Sequence, residues 1–203
     1  EYLRMQDQDG HVYVVAKSRL KAYEKQFANA TEIECIKGSD LVGKHYTPLF
    51  PYYAGQSDLL FQIIPADYVS DGDGTGIVHI APAYGAEDFW AAKNIDPKFP
   101  VLLNVDTYGN FDETVTDFAG ENIFVATPKI MDWLKNNGKL VKKEQYKHSY
   151  PFGDRSKEKL IQRATDSWYI DVPKIKDKLL ANNAKVNWTS AGERFRNWIE
   201  NAR

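Results

Sequence analysis

The chain has 203 residues, 43% of them apolar and 13% aromatic, enough for a sizeable core, which excludes general disorder. No apolar run is long enough for a membrane span, and the opening EYLRMQDQDG lacks the basic-then-apolar layout of a signal peptide. Cys35 is the only cysteine, which excludes an internal disulfide and a cysteine-based zinc site and suits a reducing compartment. The net charge of −2 is unevenly spread: residues 1–128 hold 9 Lys+Arg and 19 Asp+Glu, residues 129–203 hold 17 and 9. A basic C-terminal part interleaved with aromatics, Tyr146, Tyr150, Trp168 and Trp198 among them, points to a polyanion or to a solvated Lys-rich helical surface.

In chain order, HVYVVA (11–16) reads as a strand after a DQDG turn. SRLKAYEKQFA (18–28) has apolar residues at 20, 23 and 27, a helical spacing, with Ser18 as its cap. TEIECIKG (31–38) alternates like a strand and makes Cys35 a buried small hydrophobe. DLVGKHYTPLFPYY (40–53) is strand and turn, and LLFQIIPADYVS (59–70) is an apolar strand run. GDGTGIVHIAPAYGAEDF (72–89) predicts a glycine turn, a short strand with His79, and a helix opening on Glu87 and Asp88. PVLLNVDTYGNF (100–111) predicts a strand and a turn at Gly109-Asn110.

After residue 126 helices take over. TPKIMDWLKNNGKLV (127–141) predicts a helix capped by Thr127, with Pro128 in its first turn and Gly138 at its stop. EQYKHSYPFGDRS (144–156) is extended and aromatic; DVPKIKDKLLANNAKVNW (171–188) holds a helix ending near Asn182 or Asn183. AGERFRNWIENAR (191–203) predicts a third helix with Phe195, Trp198 and Ile199 inward, and it has no stop signal, as expected of a piece of a longer chain. These elements predict a mixed α/β fold, mainly β: a barrel-like body with peripheral helices and a basic, helix-rich C-terminal part over about 127–203.

The common catalytic motifs HExxH, the P-loop and GxSxG are missing, and Gly72, Gly74 and Gly76 do not fit the dinucleotide pattern. The four histidines, at 11, 45, 79 and 148, lie far apart, so no metal site is expected. Gly74-Thr75-Gly76 allows a sharp turn or close approach to a ligand. In IVHIA, Ile77, His79 and Ala81 share one face of a strand, a histidine among small apolar neighbours. That is a pocket wall or an ordinary half-buried histidine. Glu87 and Asp88 are equally well explained by the dipole of the helix they begin.

The residues as an ordered set resemble the editing domain of the isoleucyl-tRNA synthetase family of class I synthetases. The family signature reads here Gly74-Thr75-Gly76, Val78-His79, Ala81-Pro82-Ala83, Gly85 and Glu87-Asp88. His79 separates it from the valyl pattern, which carries lysine there. LVGKHYTPLFPYY, HSYPFGDRSKEKLIQRATDSWYI (148–170) and FRNWIENAR resemble further family blocks, so the resemblance runs in order through all 203 residues. The departures are Gly153-Asp154 for the family's Cys-Trp, Glu158-Lys159-Leu160-Ile161-Gln162 for its TPLIY, and the lack of its Thr-rich peptide, which lines the editing pocket.

The resemblance implies a single editing domain over 1–203, cut from a larger synthetase, that hydrolyses the aminoacyl ester of valine mischarged on isoleucine tRNA. It implies that Asp88 holds the substrate ammonium, that His79 is the wall rejecting isoleucine, and that Gly74, Thr75, Gly76, Ala81 and Pro82 bind substrate. It implies no metal and no cofactor in this segment, ATP being used by the catalytic domain. The partners it implies are isoleucine tRNA and the rest of the synthetase, in a cytoplasmic monomer with no membrane contact. Two alternatives remain: a tRNA-binding or structural fragment, inactive without the Thr-rich peptide, and a valyl-type editing domain.

Overall fold

The structure is a computed structural model that describes residues 1–145, 147–189 and 192–201. Tyr146 and the two ends of the helix expected over 191–203 lie outside the described residues. The chain gathers into two compact units, Glu1–Ala164 and Thr165–Arg203.

The first unit starts with an antiparallel sheet in the order β2-β1-β3, formed by Tyr2–Gln6 (β1), Val12–Ala16 (β2) and Thr31–Ile36 (β3). β1 is central: Leu3 faces Val15 on one side and Cys35 on the other, and a bulge follows Arg4 on the β3 side. Leu3, Met5, Val15, Tyr23 and Phe27 form one buried cluster. The segment that supplies Tyr23 and Phe27 is a 3₁₀ helix over Lys17–Tyr23 followed by turns, tighter than the expected α-helix, yet it buries two of the three residues the spacing selected. No residue of β3 belongs to that cluster. Cys35, expected inside, is therefore exposed, because the covering segment stops over β1 and β2.

The glycine turn docks on this sheet. Ala16 N donates to Thr75 O at 2.8 Å and Tyr2 Oη donates to Gly76 O at 2.8 Å. Gly76 has φ of +78°, and a Cβ there would stand 2.5 Å from the Ala16 Cβ, so both conformation and space demand glycine. Arg19 clamps the turn from outside, Nε to Gly74 O at 3.0 Å and Nη1 to Gly72 O at 2.6 Å.

Ala86–Ile95 (α1) begins on Glu87 and Asp88 as expected, and Ala92 buries its inner face with Leu60 and Phe99. Ile123–Asn136 (α2) begins four residues earlier than expected. Asn122 is its cap, accepting from Phe124 N at 3.1 Å, whereas Thr127 is mid-helix and bonds back to Ile123 O at 2.7 Å. Its end is as expected: Gly138 takes φ of +64°, with Gly138 N on Lys135 O and Lys139 N on Leu134 O. Ala126 joins Val115 and Phe118 in a third small cluster.

The class is mixed α/β, but among the described residues helix accounts for 28% and strand, isolated bridges included, for 12%, and the sheet is not a closed barrel. The expectation of a mainly β, barrel-like body is corrected accordingly. The apolar runs at 59–70, 77–81 and 100–105 are not regular strands; they reach only isolated bridges, His45 with Gln62 and Val105 with Phe111. Pro65, Pro82 and Pro100 sit in or beside these runs, and each removes a ladder donor.

In the second unit, Val172–Asn183 (α3) is capped by Asp171, with Pro173 in its first turn. Gly192–Glu200 (α4) packs back through Phe195, stacked on Trp188 at 4.6 Å. Phe195 and Trp198, expected inward, are exposed, because each helix has one helical neighbour and no described residue of this unit is buried.

Two measurements follow from these packing details. Gly76→Ala is expected to lower unfolding free energy by about 1–3 kcal/mol in urea titration. Gly43→Ala, where φ is +81° but no atom lies within 4 Å of the new Cβ, should cost less. The second concerns Tyr52, whose Oη donates to Asp117 Oδ2 at 2.6 Å. Burial first, and that hydrogen bond next, push its phenol up to about 12. The folded state thus holds the proton more tightly, so this stabilisation is full below the unfolded phenol value of about 10 and is lost as pH rises through the folded one. Tyr52→Phe should flatten the alkaline fall in stability between those values, read by unfolding at stepped pH.

Candidate functional site

Leaving the docked turn, residues 77–80 form part of the wall of an apolar cavity of about 670 Å³. Val42, Tyr46, Ile63 and Val69 form much of the rest. Among the described residues, Val78, His79 and Ile80 make no backbone hydrogen bond, so the expected strand lacks a ladder partner. His79 lines the cavity, is exposed, and makes no hydrogen bond among the described residues.

Asp88 sits on the first turn of α1, half-buried. Its Oδ2 accepts from Ala81 N at 2.9 Å and its Oδ1 from Tyr68 Oη at 2.5 Å. Gly85 makes this possible: a Cβ there would stand 2.7 Å from Oδ2. The turn that connects the wall to the helix closes with Tyr84 N and Gly85 N both donating to Ala81 O, at 2.8 and 3.1 Å. Pro82 starts this turn, and Ala83 O accepts from Ala164 N at 2.7 Å.

The structure brings Gly76 and His79 to the cavity and links Asp88 to the same segment through Ala81. Gly74 and Thr75 sit behind, their carbonyls taken by Arg19 and Ala16. Thr75 Oγ1 donates to Ile77 O at 3.1 Å. Asp88, Ala81 and Pro82 do not line the cavity. Sequence reading missed Tyr2, Arg19 and Tyr68: each acts across 20 residues or more, and no local spacing announces it.

A second hollow of about 310 Å³ is lined by Tyr150, Phe111 and the hydrogen-bonded pair Tyr84 and Asn104. Tyr150 stands 6.0 Å from both His148 and Phe152, and Lys159 lies over the Phe124 and Tyr150 rings at 5.1 and 6.0 Å. The basic-aromatic stretch is thus a ring-lined surface rather than core. For metal, the described residues bring Asp7, Asp9 and His11 together, with one ligand atom of each within 4.8 Å of the others. Asp7 there already accepts from Asp9 N, His11 N and Tyr13 Oη, the geometry of a hydrogen-bonded hairpin turn. No helix among the described residues is long and apolar enough to cross a membrane.

No family model matches the chain. Its whole length is similar to curated tRNA ligases. It is 40% identical over 215 residues to the probable cytoplasmic isoleucine–tRNA ligase of Dictyostelium discoideum. It is 39% identical over 207 residues to the isoleucine–tRNA ligase of Chlamydia muridarum. It is 36% identical over 238 residues to the cytoplasmic isoleucine–tRNA ligase of Arabidopsis thaliana. In each case 100% of this chain aligns with 20% of the relative, so the chain spans about a fifth of their length. Along its full length the chain is thus 36–40% identical to one segment of isoleucine–tRNA ligases.

Gly85→Ala should push the Asp88 carboxylate off the Ala81 amide. The expected result is a stability loss of about 1–2 kcal/mol in urea. Faster hydrogen exchange at Ala81, seen by NMR, would show that this bond is the one lost.

Proposed function

We propose that this segment is the editing site of an isoleucine–tRNA ligase, hydrolysing the ester of valine mischarged on isoleucine tRNA. One observation carries it: the hydrogen bond from Ala81 N to Asp88 Oδ2, at 2.9 Å, ties an anionic group to the chain segment whose His79 lines an apolar cavity. An amino acid ester offers an ammonium and an apolar side chain, and this arrangement has a partner for each. Asp88 would hold the ammonium by a charge-assisted hydrogen bond. His79 would set the limit on side-chain length.

The need for a second site is energetic. Burial of one methylene discriminates by only ~1–3 kcal/mol, a general value for which isoleucine against valine is itself the usual example. A hydrolytic pocket that admits valine and rejects isoleucine removes the remaining errors. A cavity of about 670 Å³ holds far more than a valine side chain. Size selection therefore requires the terminal adenosine and a further peptide to fill the rest. The Thr-rich peptide that the family places in the pocket would meet the backbone of residues 78–80, which has no backbone partner among the described residues.

The chemistry asks little more. The ester is already activated, so a positioned water suffices, without a protein nucleophile or covalent intermediate. No metal or other cofactor is required in this segment; ATP would serve the catalytic part of the ligase. The surplus of cations after residue 128 would meet tRNA phosphates, giving binding that weakens with salt. The enzyme would act as a cytoplasmic monomer. A non-enzymatic reading is favoured by one observation: Asp88 and the Gly74-Thr75-Gly76 carbonyls are already occupied by protein donors.

Deacylation of valine-charged and isoleucine-charged isoleucine tRNA by the ligase carrying this segment separates the two. Asp88→Ala is expected to slow valine release about 10–100-fold, the worth of one charged hydrogen bond. His79→Ala is expected to admit the isoleucine ester. Unchanged rates in Asp88→Ala, with tRNA binding intact, would favour the non-enzymatic reading.

A further inference from the structure

Asp88 reaches the cavity wall through two hydrogen bonds, and only one of them is from the backbone. The other is from Tyr68, at 2.5 Å, and Tyr68 lies between Ala66 and Val69, which both line the cavity. Both tethers come from chain that precedes the carboxylate: Tyr68 sits between the lining residues Ala66 and Val69, and Ala81 directly follows the lining residues 76–80. The missing Cβ of Gly85 lets the carboxylate lean back onto them.

A carboxylate has about four lone-pair positions, and the two tethers occupy two of them, one on each oxygen. The remaining directions are fixed once both tethers are made. Without Tyr68 the carboxylate is restrained only by the Ala81 hydrogen bond on Oδ2 and can twist about Cβ–Cγ, so the free lone pairs on Oδ1 have no set direction. We propose that Tyr68 is a positioning residue for ammonium recognition by Asp88, aiming the free lone pairs of the carboxylate at the amino group of the bound ester. This rests on the editing reading above. The Tyr68 phenol is held well above its ordinary value, by burial first and by the Asp88 hydrogen bond next, so it is a neutral donor throughout the working range. Tyr68 touches Asp88 rather than the reacting atoms, so its effect should appear only in what Asp88 recognises.

The experiment compares two esters of isoleucine tRNA, valine and 3-methylbutanoate, the second being valine without its ammonium. The full ligase carrying this segment is assayed with Asp88→Asn, Tyr68→Phe and the double substitution. Tyr68→Phe keeps the ring and removes one hydroxyl, so packing is preserved, and melting temperature checks it. The expected result is that Tyr68→Phe lowers the preference for the valine ester about tenfold, the low end for a charged hydrogen bond. The double variant should be no worse than Asp88→Asn alone, because both changes remove the same recognition. If Asp88→Asn leaves the preference intact, the editing assignment of Asp88 fails and this proposal with it. If Asp88→Asn abolishes the preference while Tyr68→Phe retains it, this proposal alone is overturned. A loss from Tyr68→Phe that adds to that of Asp88→Asn, or that slows both esters equally, also overturns it.

Discussion

The joint between the glycine turn and the sheet fixes where the cavity-lining segment 77–80 begins. Three hydrogen-bonding groups meet there: the Ala16 amide on Thr75 O, the Tyr2 hydroxyl on Gly76 O, and the Arg19 guanidinium on the carbonyls of Gly72 and Gly74. The joint closes only because Gly76 has no side chain where the Ala16 methyl stands. Beyond it, residues 78–80 have no ladder to follow among the described residues. Their direction is held at the start by this joint and at the far end by Ala81 N on Asp88. His79 lies in that span, suspended between two anchors.

Such suspension is a consequence of how the first unit is built. Among the described residues its buried apolar clusters are three small ones, under the sheet, under α1 and under α2. None spans the cavity. The cavity wall is irregular chain: residues 43–46 and 61–63 pair backbone to backbone, whereas residues 78–80 make no backbone hydrogen bond among the described residues. Rigidity at the site therefore comes from hydrogen bonds at glycines more than from side-chain burial. A single added methyl, at Gly76 or Gly85, meets an atom within 2.5 or 2.7 Å. Loss of packing at the distant clusters should leave this geometry in place more readily than those small changes do.

What the sequence disclosed follows the range of the forces involved. Helix ends were readable where the signal is local: Glu87 and Asp88 opening α1, Gly138 closing α2, Asn182 or Asn183 closing α3. The start of α2 was not, because Asn122 is a weaker signal to the eye than Thr127-Pro128, and a proline six positions into the helix was tolerated. Strand runs were legible as apolar alternation, yet alternation does not say whether a partner exists. It held for β2 and β3 and failed for IVHIA, where the ladder has no second strand among the described residues. Cys35 alternates correctly and is exposed all the same, since nothing in TEIECIK reports how far the covering segment extends. His79 and Asp88 were legible as residues of one stretch and through a family pattern. Tyr68, 20 residues away, was not.

The carboxylate at the centre of this region shows why occupied hydrogen-bonding groups argue for function as well as against it. A lone Asp88 projecting into an apolar cavity would be poorly solvated and free to rotate, and it would have to be ordered at each encounter with a ligand. Held by Ala81 N and Tyr68 Oη, it loses that freedom in the folded protein, before any ligand arrives. The same two bonds keep it beside the cavity wall rather than within the cavity, which leaves the apolar volume to an apolar group. A site that must position an ester and a water, with no nucleophile of its own, gains most from such prior ordering, because misplacement by about 1 Å can cost on the order of 100-fold in rate. Under the editing reading, the selectivity of this segment resides in a wall, at His79, and its efficiency in a fixed anion, at Asp88. The hydrogen bond between Ala81 and Asp88 is what keeps those two functions in register.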